Sequence, residues 1–364
     1  MPKMNILLCG GGTGGHYYPL MAIKQDLHSK SDFRFSFIGA KKGIESSKIH
    51  SESIPFKLIS ISGLNRKVSI KSLFQNIIVG INIIIGFFSV LIFFIQQKPN
   101  LVISTGGYSS FLPLQVARML KIPYVLHEQN SYPGVVTKFF SKNAKAVFLG
   151  FKDAEKYLNK TNAIFSGNPV LLHKSKSINI DMNNDLRTLL VFGGSQGSQF
   201  LNQKIKIALE NDKLDFINVV WIVGKNNYES LKHLNRKNVI IYDYCNEMSS
   251  LYQNIDLVLS RSGAMTIAEL IKFEKPSILV PFKFSSENHQ HFNAKFLQDN
   301  FCSKLIKEDD FNDETFVSTL KNLSQDDRIL GSMKSNFKNV NVPDTLSIIS
   351  NFVMEKKYVT HSQK

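Results

Sequence analysis

An α/β protein of two domains, each a parallel sheet covered on both faces by helices, is what the sequence predicts, and three observations lead there. The first is length: 364 residues exceed one ordinary core and fall short of three, because domains run to roughly 100–200 residues. The second is rhythm. Short apolar runs recur with glycine or polar breaks and helix-length stretches between them, and strands apolar on both faces separated by helices mean parallel sheets covered on both sides. The third is that the rhythm occurs twice. Each series opens on a strand followed by a glycine-rich turn, NILLCGGGTGGH from Asn5 to His16 and TLLVFGGSQGS from Thr188 to Ser198.

The first series places strands at 5–9, 34–38, 57–61, 101–104, 124–127 and 146–149. The second places them at 188–192, 218–223, 238–242, 256–260, 277–280 and 304–306. Between the series lies Ser166-Gly167-Asn168-Pro169-Val170 and then a polar stretch at 173–185. Glycine and proline break regular structure and few core contacts cross a polar segment, so this is the expected linker. Residues 1–168 are therefore expected to form one domain, 169–340 a second, and 341–364 a helical tail. Two Rossmann-like domains facing a cleft would place both glycine-rich turns at its mouth, at the carboxyl ends of their strands.

Composition agrees with a folded protein: 43% of residues are hydrophobic and 20% charged, outside the disordered and fibrous classes. Lysine and arginine number 44 against 29 acidic residues, a net charge of +15. Such a field concentrates anions, although lysines scattered among asparagine and isoleucine fit a compositional bias equally well. Cys9, Cys245 and Cys302 are far apart, with no paired spacing and no histidine companions, which argues against a disulfide framework and a structural zinc. The first residues run directly into the strand at 5–9 without a secretory segment, so a cytoplasmic start is expected.

One segment resists this soluble reading. Ile77–Ile95 is apolar except for Asn82, Ser89 and two glycines, and as a helix it is about 28 Å long, near the hydrocarbon thickness of a bilayer. A membrane span here would put the turns at Gly10–Gly15 and Gly106–Gly107 on opposite sides and separate strands that should share a sheet. Gln75, Asn82, Ser89 and Gln96 recur every seven residues, one narrow polar stripe on an otherwise apolar helix. The expectation is a helix packed in part on its domain and in part exposed, which marks an interaction surface. Arg66, Lys67, Lys71 and Lys98 flank it and suit anionic headgroups.

Chemistry concentrates in the turns. Gly10, Gly12 and Gly15 satisfy G-x-G-x-x-G after a strand, and such a turn can aim backbone N–H groups and a helix dipole at an anion. A dinucleotide site also wants an acid at the end of the second strand; the chain there reads Gly39-Ala40-Lys41-Lys42-Gly43. Gly193–Ser198 is a second nest, with a hydroxyl at Ser195, and Thr105-Gly106-Gly107-Tyr108-Ser109 a third. Ser260 to Glu269 passes from strand to helix, so N–H groups at Gly263–Met265 suit a diphosphate or sugar hydroxyls, and Glu269 suits two ribose hydroxyls. His16 opens a helix where a neutral imidazole can take a proton from a hydroxyl. Taken alone, Glu269 could equally be a solvated charge, His16 a packing residue and each glycine pair a tight turn.

Metal motifs are not found. His127-Glu128-Gln129-Asn130 lacks the second histidine of a zinc-protease helix, and His289 and His291, two apart, point to different sides of a helix. Gln290 and Asn293, one turn apart, suit sugar hydroxyls instead. No Asp-x-Asp ends a strand, and Glu308-Asp309-Asp310 reads as a solvated loop. No metal, other cofactor or nucleic-acid partner is expected.

Together these residues resemble the family of bacterial UDP-N-acetylglucosamine:lipid I N-acetylglucosaminyltransferases, glycosyltransferases of peptidoglycan synthesis. The resemblance runs over most of the chain. It rests on Gly11–His16, Thr105–Tyr108, His127–Asn130, Gly167–Val170, Gly193–Gly197, Arg261–Glu269, Pro281-Phe282 and His289-Gln290 with Asn293-Ala294. It implies the GT-B fold, a donor held mainly by the second domain and a lipid acceptor held by the first. Implied donor contacts are Thr13, Gly14, Gly15, Asn130, Ser195, Cys245, Ala264, Met265, Thr266, Ile267, Ala268, Glu269 and Gln290; implied acceptor contacts are Gly106, Gly107 and Tyr108. His16 is the implied catalytic base, with Glu128 the next candidate. The implied reaction is inverting transfer from UDP-N-acetylglucosamine to the C4 hydroxyl of lipid I, giving lipid II, by an enzyme docked on the cytoplasmic face of the inner membrane. One departure is Leu171, where the family commonly has arginine; Lys174 lies close by as a substitute. A glycolipid synthase acting on diacylglycerol and a UDP-sugar epimerase are the competing readings, and the apolar segment argues against the epimerase.

Overall fold

The computed structural model describes residues 4–61, 70–158, 162–170, 180, 182–194 and 197–355, with the backbone alone at 70–78 and 286. Arg66, Lys67, Leu171, Lys174 and Ser195 lie outside the described residues, as do the side chains of Lys71, Gln75 and Ile77. The chain divides into two compact units, Met1–Leu171 with Val342–Lys364, and Leu172–Asn341.

The first unit runs β1 (Asn5–Cys9), α1 (Gly14–Lys30), β2 (Arg34–Ala40), α2 (Glu45–Lys48), β3 (Phe56–Ile59), α3 (Ile70–Gln97) and β4 (Leu101–Ser104). It continues through α4 (Phe111–Met119), β5 (Tyr124–Glu128), α5 (Val135–Ser141), β6 (Val147–Leu149) and β7 (Ala163–Phe165). The sheet order is β3-β2-β1-β4-β5-β6-β7, every neighbour parallel. Leu7, Cys9 and Val102 face one apolar layer and Ile6, Leu8 and Ile103 the other, so these strands are apolar throughout because helices cover both faces.

The second unit runs β8 (Thr188–Phe192), α6 (Gln199–Glu210), β9 (Asn218–Ile222), α7 (Lys225–Leu231), β10 (Val239–Tyr242), α8 (Met248–Gln253), β11 (Leu257–Ser260), α9 (Ala264–Lys272), β12 (Ser277–Leu279), α10 (His289–Asp299) and β13 (Ser303–Leu305). Its parallel sheet has the order β10-β9-β8-β11-β12-β13. Two helices, α11 (Asp313–Gln325) and α12 (Asp327–Asn336), follow. In both sheets the order reverses beside the first strand, which opens a crevice at the carboxyl ends of β1 and β4, and likewise of β8 and β11. The turns singled out in the sequence follow those four strands.

The last helix, α13 (Thr345–Met354), packs on α1 and buries Ile349 and Val353 in the layer formed by Ile6, Leu8 and Leu20. The expected linker is, in its first residues, part of this unit. Ser166 and Asn168 are buried, Thr345 Oγ1 donates to the Ser166 carbonyl at 2.7 Å, and Asn168 Nδ2 donates to the Gln129 carbonyl at 2.9 Å. Strand β7, which ends just before Ser166, escapes the sequence reading because three edge residues are too few to show a period.

Helix α3 is the crossover between β3 and β4. Val90, Phe93 and Phe94 are buried in the sheet-side layer, and the helix packs on α4 and β3. Its other face stays open: Ile84, Ile85, Phe88, Ile92 and Ile95 are each more than half exposed. Val79–Gln97 is long and apolar enough to cross a membrane. Asn82 and Ser89 are both half-buried rather than lining the outermost face; apolar side chains do.

Candidate active site

In the first unit the β1–α1 turn is shaped by a residue the sequence reading passed over. Glu45, fully buried, accepts the Gly12 N–H at 2.8 Å (Oε2) and 3.0 Å (Oε1), and the Ala40 N–H at 2.7 Å. Gly12 has φ +87°, a left-handed conformation that favours glycine. The Gly10–Gly15 turn is thus not an open anion nest along its length: its first half already holds a carboxylate from its own chain. Gly14 and Gly15, the first residues of α1, remain beyond that brace, with an exposed Thr13 whose side chain caps nothing.

His16 follows on α1. Its Nδ1 lies 2.8 Å from the Thr105 carbonyl oxygen and 2.8 Å from Gln129 Oε1. Both partners only accept, so Nδ1 carries the proton and Nε2 presents its lone pair. Among the described residues Nε2 has no hydrogen-bond partner. The ring lies against the β4–α4 turn; a Cβ on Gly107, at φ +79°, would sit 3.0 Å from His16 Cδ2 and 2.7 Å from the Gly11 carbonyl oxygen. Glycine there lets the turn and the imidazole approach. Thr105 Oγ1 donates to the His16 carbonyl at 2.8 Å and ties the same two turns together. Tyr108, more than a third exposed, packs beside Gly12; burial, and then the Glu45 charge, push its phenol pKa up.

Glu128, at the end of β5, is buried. It accepts the Asn130 N–H at 3.1 Å and the Gly134 N–H at 3.0 Å, so both oxygens are engaged in bracing the loop that carries Asn130. His127 is buried beside it. Its Nε2 donates to the Gly167 carbonyl at 3.0 Å, and Nδ1 accepts from Gln129 Nε2 at 2.9 Å. Burial holds its pKa down at about 4, so this imidazole stays neutral. The first unit thereby brings together Thr13, Gly14, Gly15, His16, Gly106, Gly107, Tyr108, Glu128 and Asn130.

In the second unit, Gly263 is the N-cap of α9; the Ile267 N–H already donates to the Gly263 carbonyl at 3.0 Å, so Ala264, Met265 and Thr266 are the first-turn residues whose N–H groups the helix itself cannot pair. Ser262 Oγ donates to the Gln290 carbonyl at 2.8 Å, Gln290 Oε1 accepts the Phe282 N–H at 2.9 Å, and Asn293 Nδ2 donates to the Ser262 carbonyl at 3.2 Å. These bonds fasten the starts of α9 and α10 together. Asn293 is completely buried, so it braces this junction instead of meeting sugar hydroxyls. Glu269 is half-buried one turn further along and accepts from Tyr252 Oη at 2.9 Å. Desolvation raises its carboxyl pKa to about 7, so it is no solvated surface charge. Cys245 lies in the loop after β10, with burial raising its thiol pKa.

Glu308 also departs from the solvated-loop expectation. It forms an ion pair at 2.5 Å with Arg261, which is nine-tenths buried and reaches Ser198 Oγ and the Val280 carbonyl, each at 3.1 Å. Sequence separation hides this pair as it hides Glu45. Among the described residues no cluster of three His, Cys, Asp or Glu side chains is placed to hold a metal.

Residues 6–149 match the glycosyltransferase family 28 N-terminal domain, and residues 188–347 match the glycosyltransferase family 28 C-terminal domain. The chain belongs to glycosyltransferase family 28. Two similar curated proteins carry the name UDP-N-acetylglucosamine--N-acetylmuramyl-(pentapeptide) pyrophosphoryl-undecaprenol N-acetylglucosamine transferase. The protein of Finegoldia magna is 34% identical, the match covering 93% of this chain and 95% of its own; that of Bacillus subtilis is 31% identical, covering 97% and 100%. Among solved structures, Acinetobacter baumannii MurG shares the fold with a TM-score of 0.74 at 22% identity, covering 97% of this chain and 99% of its own. The calicheamicin glycosyltransferase CalG4 does so at 0.70 and 13% identity, both chains being covered in full. The α/β, GT-B class expected from the sequence therefore holds, and the family 28 chain is a glycosyltransferase.

Proposed function

We propose that this family 28 enzyme transfers N-acetylglucosamine from UDP-N-acetylglucosamine, with inversion, to the C4 hydroxyl of the undecaprenyl-diphosphate-linked N-acetylmuramoyl-pentapeptide, making lipid II. The reaction is the one its relatives are named for. The observation that carries it is His16: an imidazole with Nδ1–H fixed by two acceptors and Nε2 bare, at the carboxyl edge of a family 28 sheet. The acceptor hydroxyl gives its proton to Nε2 while its oxygen forms a bond to the anomeric carbon. The bond from that carbon to the diphosphate breaks and its electron pair leaves with UDP. A base so placed contributes about 10²–10⁴-fold. Glu128, with both oxygens engaged, braces the loop around Asn130.

For the donor, the N–H groups of Ala264, Met265 and Thr266 face the diphosphate with the positive end of the α9 dipole. Glu269 has one oxygen on Tyr252 and the other to take the ribose hydroxyls; Met265, Ala268, Gln290, Cys245 and Ser195 are the further donor contacts read on the second unit, and Thr13, Gly14, Gly15 and Asn130 those read on the first, each from the family resemblance. Gly106, Gly107 and Tyr108 receive the acceptor.

The enzyme docks on the cytoplasmic face of the membrane without crossing it. Supporting this, one face of α3 is buried on the sheet while the other exposes Ile84, Phe88 and Ile92, and a crossover helix between two strands of one sheet cannot leave that sheet for the bilayer. The test is incubation with radiolabelled UDP-N-acetylglucosamine and bacterial membrane lipid extract. Label on a polyprenyl-diphospho-disaccharide is expected; label on diacylglycerol, or on no lipid, overturns the reading.

A further inference from the structure

His127 and Gln129 have no part in the scheme above, yet they form a continuous polar chain that ends on His16. Reading from the buried end, His127 Nε2 donates to the Gly167 carbonyl, which obliges the neutral ring to accept at Nδ1. Gln129 Nε2 fills that acceptor at 2.9 Å and also donates to the His127 carbonyl at 2.8 Å. With the amide nitrogen anchored on two acceptors, Oε1 is the end that faces His16. It meets Nδ1 at 2.8 Å alongside the Thr105 carbonyl. Gln129 and His127 are both about 1% exposed, and Asn168 holds the Gln129 carbonyl from the other side. Every donor in this chain has one acceptor orientation open to it, and the only free nitrogen lone pair left among these three side chains is His16 Nε2.

We propose that Gln129, itself oriented by His127, is the positioning residue that holds His16 as the Nδ1–H tautomer and aims Nε2 at the acceptor hydroxyl. A base held by a third group is the general pattern of activated nucleophiles; here the third group is an amide and not a carboxylate. When Nε2 takes the hydroxyl proton, the imidazolium is stabilised by two carbonyl dipoles. The Nδ1 proton stays where it is, because neither oxygen is a base. The titratable groups on the elements packed around His16 are His127 behind Gln129, Glu128 beside it on β5, and Glu45 and Tyr108 at the neighbouring turns; none of them is hydrogen-bonded to the ring. This inference rests on His16 being the base.

The experiment uses the full chain with ¹⁵N-labelled histidine, the His16 signals being assigned by their loss in His16→Gln. The imidazole is expected to be protonated at Nδ1 and bare at Nε2. In Gln129→Met the ring should populate both tautomers, and kcat should fall at least tenfold while KM for UDP-N-acetylglucosamine stays within twofold. In Gln129→Glu a carboxylate against Nδ1–H favours the imidazolium, so the acidic limb of the kcat profile should move up by about one pH unit or more, which a purely structural role would not produce. An Nε2–H tautomer in the unsubstituted enzyme overturns the proposal, as do unchanged tautomer and kcat in Gln129→Met or an unmoved limb in an active Gln129→Glu. Should Gln129→Met fail to fold, the spectrum of the unsubstituted enzyme and the Gln129→Glu profile decide. Full activity in His16→Gln, together with an Nδ1–H tautomer of His16 in the unsubstituted enzyme, would instead overturn the reading of His16 as the base and leave the ring's positioning established.

Discussion

At the scale of single residues, the site is a set of side chains whose protonation is dictated by neighbours. His16→Ala removes the proposed base, so turnover should fall at least tenfold, about 1.4 kcal/mol or more of barrier, while UDP affinity measured by calorimetry stays the same; equal turnover removes His16 from the mechanism. Glu269 makes a pH prediction. Its carboxyl titrates near 7 in the fold against about 4.5 ordinarily, so between those values the folded protein holds a proton that the unfolded chain has lost, and stability falls as pH rises through the window. Glu269→Gln has no charge to bury. It should therefore melt higher than the unsubstituted protein at pH 8, with the gap closing towards pH 5, and should bind UDP more weakly because an amide oxygen accepts from ribose less strongly than a carboxylate. A gap independent of pH would remove Glu269 from this account.

Among the elements, α3 makes the sharpest division. Ile84, Phe88 and Ile92 recur at helical spacing on its open face, whereas Phe93 and Phe94 belong to the core. Changing the first three to serine should leave the melting temperature within a few degrees and release the enzyme from anionic vesicles in flotation assays, each fully buried side chain being worth at most about 1.5–3 kcal/mol of transfer. Phe94→Ala should do the reverse, costing about 3–5 kcal/mol of stability. Vesicle binding that survives the triple serine variant would move the docking face elsewhere. The sequence pattern shows that this helix is too apolar to be covered, but the division into two faces depends on the angle at which it crosses the sheet, and hydropathy does not encode that angle. The same limit explains the other misses. The strands were legible because apolar runs bounded by glycine are local. Glu45 filling the turn at Gly12, 33 residues away, and Glu308 pairing with Arg261 are not, because each looks like a surface charge until the fold brings its partner near.

For the whole molecule, the two sheets repeat one topology with different equipment at their carboxyl edges: an imidazole network in the first unit, a helix terminus with a raised-pKa carboxyl in the second. The first unit is closed by α13. Ile349 and Val353 are almost fully buried against it, so Ile349→Ala with Val353→Ala should destabilise the first unit by several kcal/mol, at about 2–5 for the isoleucine. Hydrogen exchange should accelerate in β1 and α1 and stay unchanged in β8 and β9; equal acceleration in both sheets would show that the units unfold as one. That closure also sets an order in time. The surface of α1 that receives α13 is made early in translation, and the whole of Leu172–Asn341 must be synthesised before its cover arrives, an interval of about 10–30 s at typical elongation rates. A nascent chain at that stage displays an uncovered apolar groove, so the ribosome-bound intermediate is where chaperone capture should concentrate.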